Sequence, residues 1–65
     1  MNYGEQILIA RRRKGLRQNA VAARAGINPA TVIDIERERI LVQEETYQRL
    51  MAVIEALPPA AQVKA

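Results

Sequence analysis

Apolar residues recur along this chain mostly at steps of three and four, the period of one helix face, in short blocks set apart by glycine or proline. The clearest block is Tyr47, Leu50, Met51, Ile54 and Leu57, an amphipathic stripe. Glu44 and Glu45 lie near its start, where the helix dipole favours acids; Gln43 or Thr46 caps it and Pro58 ends it. Residues 5–14 hold strong helix formers up to a stop at Gly15, and the basic residues toward their end suit the same dipole. Leu16 packs into the connection that follows. Residues 18–25 form an alanine-rich helix with Val21, Ala22 and Ala25 on one face, stopped by Gly26 in the left-handed region. Asn28 then Pro29 is a start signal, a side-chain cap followed by proline at the first helical position. The helix they open buries Val32 and Ile35. Residues 38–46 follow no period, and the run Ile40, Leu41, Val42 is too short for a helix and lacks a strand partner. The pattern predicts an all-α domain of four helices.

Composition limits what such a domain can do. Sixty-five residues support one core, and that core is thin: Ala supplies 11 of the 32 hydrophobic residues, Ile, Leu and Val together 17, and Phe and Trp are absent. The chain has no Cys, His or Ser. Disulfides, thiolate metal sites and the usual Ser/His or Cys/His nucleophiles cannot be written from it, so no metal, cofactor or enzymatic activity is expected. The longest apolar run, residues 50–54, is far below a membrane span, and the start of the chain has no basic-then-apolar leader. A soluble cytoplasmic domain is the expectation.

Charge adds a direction. The net +3 is concentrated in residues 11–39, which hold eight bases (Arg11, Arg12, Arg13, Lys14, Arg17, Arg24, Arg37, Arg39) and three acids. A basic middle suits a polyanion such as nucleic acid, although the same charge also serves solubility. Segment 18–36 reads as a short helix, a turn with glycine at the bend and a second short helix, with Ala22 and Ala25 small enough for a close, steep crossing. That is the arrangement of a helix-turn-helix, and equally of an αα corner in any all-helical domain. Spacing alone leaves both open.

Joint matches go further. From about Gly4 to Leu57 the chain resembles the Cro/lambda-repressor-like (Xre-type) helix-turn-helix domain. The resemblance is carried by Gly4, Glu5 and Ile7, then Arg11, then Lys14, Gly15, Leu16 and Gln18. It continues through Val21, Ala22, Gly26, Ile27, Asn28, Thr31, Val32, Ile35, Glu36 and Arg37. It implies a compact domain over residues 1–57 with a short tail at 58–65, whose residues 59–65 correspond to a stub of the fifth helix often seen in the family. It also implies sequence-specific binding of double-stranded DNA, as a homodimer on a palindromic operator, for repression or autoregulation. The helix at 29–37 then enters the major groove with Asn28, Pro29, Ala30, Thr31, Ile33 and Asp34 toward the bases. Arg17, Gln18, Arg37 and Arg39 meet phosphates. Arg11 and Glu36 match a pair that ties the first helix to the recognition helix.

The departures carry expectations of their own. No Arg, Lys or Gln occurs from position 29 to 35, so specificity rests on few hydrogen bonds, thymine-methyl contacts and DNA shape. Asp34 faces repulsion from phosphate unless it accepts from a cytosine amino group. Glu38 replaces the usual glycine after the recognition helix, which either runs on or turns differently. Leu8 and Ile9 are apolar where polar residues are common, and the loop after the recognition helix, longer than usual by about three residues, carries Ile40, Leu41 and Val42; these groups, one or both, either form the homodimer interface or fold back over the thin core. The competing function is a protein-interaction module, an antitoxin-like or adaptor domain without specific DNA contacts, and Asp34 and the apolar loop are its evidence.

Overall fold

The first helix starts where a side chain satisfies its open end. In the computed structural model, which describes residues 2–60, Asn2 Oδ1 accepts from the Glu5 N–H at 3.0 Å and caps α1 (Tyr3–Arg13). The helix thus begins two residues before the expected Glu5 and ends one before Lys14, because the cap lies farther back than the run of helix formers. α2 (Gln18–Ala25), α3 (Pro29–Glu36) and α4 (Glu44–Ala56) complete the order. Arg37 caps α3 and stands outside it, one residue short of the expected 29–37. Gln43 holds the N-cap position of α4 without a side-chain bond, so Glu44 and Glu45 in the first turn supply the complement to the dipole. The described residues form a compact all-α domain of four helices. The expected fifth-helix stub falls almost wholly outside them.

Three successive helices close in the same way. After α1 the Gly15 N–H donates to the Arg12 carbonyl and Leu16 to that of Arg11. After α2, Gly26 donates to Ala23 and Ile27 to Ala22; after α3, Glu38 donates to Ile35 and Arg39 to Asp34. This double closure needs a left-handed residue, supplied by Gly15 (φ 67°), Gly26 (φ 71°) and Glu38 (φ 61°). Of the two outcomes expected at Glu38, the helix turns rather than running on, and the glutamate adopts a glycine's conformation. A Cβ in that region costs about 1–2 kcal/mol, partly offset by the chain entropy that glycine loses on folding. Glu38→Gly is therefore expected to stabilise the protein by about 1 kcal/mol and to raise its thermal midpoint by roughly 4–8 °C. An unchanged or lower midpoint in a circular-dichroism melt would refute the strain.

The core lies where the four helices meet. Ile7, Val21, Val32 and Leu50 are fully buried, one from each helix, with Leu16, Ala22, Ala25, Ile35 and Ile54 around them. Burying each of the four larger side chains contributes about 1.5–3 kcal/mol. α1 and α3 cross at Gly4, which is itself buried beneath the Ile35 carbonyl. Tyr3 stacks on Tyr47 of α4 with ring centroids 4.1 Å apart, and the Tyr47 hydroxyl donates to Gln6 Oε1 at 2.6 Å. Lys14 fastens the far end: its Nζ donates to the Ile54 and Glu55 carbonyls at 2.6 and 2.9 Å. An ammonium there answers the negative end of α4. The Lys14 carbonyl also accepts from the Ala60 N–H at 2.7 Å, which lays the chain after Pro58 back on the domain. No helix of the described residues is long and apolar enough to cross a membrane.

Candidate nucleic-acid interface

α3 presents two faces of different character. Val32, Ile35 and Glu36 point inward and are buried. Pro29 and Ala30 are exposed, and Thr31, Ile33 and Asp34 half-exposed, so the positions expected to face bases lie together on the outside. Asn28 Oδ1 accepts from the Ala30 N–H at 2.9 Å, which caps the helix and fixes its first turn. α2 holds α3 from behind through Val21, Ala22 and Ala25, all buried. The small alanines and the left-handed bend at Gly26 permit that close crossing.

One buried carboxylate ties the site together. Glu36 has a side chain only 3% exposed and receives two bonds from Arg11, Nε to Oε2 at 2.6 Å and Nη2 to Oε1 at 2.9 Å. Such a forked pair is strong and directional. Arg11 Nη1 also donates to the Leu16 carbonyl at 2.8 Å, and Gln18 Nε2 donates to Glu36 Oε1 at 2.9 Å. Helices α1, α2 and α3 therefore meet on Glu36, and Arg11 carries the link on to the α1–α2 connection. The Arg11–Glu36 partnership was visible in the sequence. The Gln18 and Leu16 partners were not, because they depend on how α2 enters the bundle. Among the described residues every buried side-chain nitrogen and oxygen has a partner.

The remaining cations divide by use. Arg17 takes the N-cap position of α2 without bonding its own backbone and is exposed, beside half-buried Gln18. Arg37 is exposed just past α3. Arg39 turns back on Asp34, Nη1 to Oδ1 at 3.7 Å, with both side chains open to water. Sequence spacing gave no sign of this pair, since five residues along a helix lie on different sides and only the turn at Glu38 brings them together. Lys14, counted in the sequence with the basic middle, is committed to α4.

The apolar positions also separate. Val42 packs against the core and Leu8 is half-buried, whereas Ile9, Ile40 and Leu41 are exposed, Leu41 almost completely at 99%. Ile40, Leu41 and Val42 border a cleft of about 260 Å³ against Tyr3, Gly4 and Ile35.

Two short helices joined by a glycine bend, the first with Val21, Ala22 and Ala25 turned into the core and the second open along one side, define a helix-turn-helix. The chain belongs to the helix-turn-helix domain family, whose profile matches residues 3–63. No curated protein and no solved structure matches it.

Proposed function

We propose that this chain is an Xre-type transcriptional regulator, a cytoplasmic repressor or autoregulator that binds double-stranded DNA sequence-specifically as a homodimer. The observation that carries this reading is the outer side of α3, where Pro29 and Ala30 are exposed and Thr31, Ile33 and Asp34 half-exposed, while its inner side is locked to α1 and α2. Two such helices about 34 Å apart enter successive major grooves of a palindromic operator. Thr31 and Asp34 offer hydrogen bonds to base edges, Asn28 sits at the head of the helix, and Ala30 and Ile33 meet thymine methyls beside Pro29. Arg17 and Gln18 at the start of α2, with Arg37 beyond α3, hold the phosphates and set register, and Arg39, paired with Asp34, adds positive charge beside them. Ile40 and Leu41, with Ile9, supply apolar surface for the second copy; Leu8 and Val42 contribute less because they lie closer to the core. No metal, cofactor or reaction is part of this function.

Selection of bound duplexes from a random pool tests it. An inverted repeat with half-sites about one helical turn apart is the expected product. Arg37→Ala is expected to weaken binding to every sequence alike and to lower the salt slope by about one phosphate. Unchanged affinity, measured by fluorescence anisotropy over a salt series, would remove Arg37 from the contacts. The fully exposed Leu41 favours a second reading, a protein-interaction module. No binding to mixed-sequence DNA even at low salt would select it.

A further inference from the structure

The geometry points to Asp34 and Arg39 as one reading unit that selects cytosine at the operator base facing α3, with Arg39 as its positioning residue. This rests on the DNA-binding function proposed above. Asp34 is an acid on the outward side of a helix meant for a polyanion, where an uncompensated carboxylate is repelled by flanking phosphates. Arg39 supplies the compensation. Its guanidinium reaches the Asp34 carboxylate at 3.7 Å, and its backbone N–H, closed on the Asp34 main-chain carbonyl at 2.9 Å, holds the residue beside it. Had α3 simply continued, position 39 would sit about 140° round the axis from position 34. The left-handed turn at Glu38 brings it back, so the pairing is built into the way α3 ends.

The chemistry of the carboxylate then narrows the base. Ionised Asp34 only accepts hydrogen bonds. In the major groove guanine presents acceptors, thymine an acceptor and a methyl, and adenine an amino group beside the N7 acceptor. Cytosine alone presents an amino donor with no acceptor on its own major-groove edge to repel the charge. Little else on α3 competes for this role, since the Asn28 side-chain oxygen is occupied by its cap and Thr31 lies one turn earlier.

Random-pool selection with the intact chain and three variants provides the test. The wild-type sites are expected to carry one cytosine per half-site, preferred about tenfold over thymine in competition with single-base variants of the site. Asp34→Asn is expected to move that position, and no other, to adenine, which asparagine reads through N6 and N7. Arg39→Ala is expected to lower the cytosine-to-thymine ratio toward unity, and Arg39→Lys to recover part of it. An arginine that only touched phosphate would weaken all sequences equally and leave that ratio intact. The unit is overturned if Arg39→Ala leaves the ratio unchanged, or if Asp34→Asn selects the wild-type motif; recovered DNA would then still support the general function. Failure of the wild type to retain any DNA would overturn both.

Discussion

Replacing Glu36 with alanine is expected to cost about 3–5 kcal/mol of folding free energy, because it strands the Arg11 guanidinium in a site where its side chain is only 11% exposed. A domain of this size is stable by only about 3–10 kcal/mol in total, so the variant loses from a third to all of its stability. Urea unfolding followed by far-UV circular dichroism reads the change directly. The loss is expected to be similar at low and high salt, since a buried pair is screened little. Replacing both partners, Arg11→Met with Glu36→Leu, is expected to recover part of the stability by removing the stranded charge. Recovery stays incomplete because the Leu16 carbonyl and the Gln18 amide lose their bonds as well. A loss below about 1 kcal/mol in the single variant would mean that the pair is worth no more than a surface ion pair.

The second large effect is expected at Gly4. In an ordinary helix interior, glycine to alanine gains about 1 kcal/mol of helix propensity. Here the new methyl group would fall inside contact distance of the Ile35 carbonyl oxygen, a backbone atom that cannot swing aside. Overpacking of this kind costs about 1–3 kcal/mol or more, so Gly4→Ala is expected to destabilise the fold despite its better propensity. Gly26→Ala is the control. Nothing lies within 4 Å of a Cβ there, and only the left-handed backbone opposes it, at about 1–2 kcal/mol. Equal melts for wild type and Gly4→Ala would show that α1 and α3 separate without strain.

How much of this was legible depends on how local each determinant is. Asn28 with Pro29, the glycines at 15 and 26, and Pro58 act on their immediate neighbours, and they mark helix ends that the structure contains. Asn2 carried the same kind of signal three residues before Glu5. Gly4, a poor helix residue, masked it, and the reason a glycine sits there lies 31 positions away at Ile35. Glu38 stands where the resembling family has a glycine, but its own side chain disfavours the left-handed region, so the sequence left a turn and a longer helix equally open. Lys14 looked like one more surface cation because its partners at positions 54 and 55 belong to the far end of the chain. For the candidate site, the outer side of α3 followed from the inward period of Val32 and Ile35. The coupling of Asp34 to Arg39 followed from nothing in that period.

The inside-outside division of α3 bears on how such a domain diversifies. Its anchoring groups, Val32, Ile35 and Glu36, share no position with the outward set at 30, 31, 33 and 34. Under the proposed function, a lineage could therefore exchange its recognition alphabet by surface replacement alone, without renegotiating foldability at each step. Duplicated copies would be free to drift apart toward separate regulatory targets on an inherited chassis.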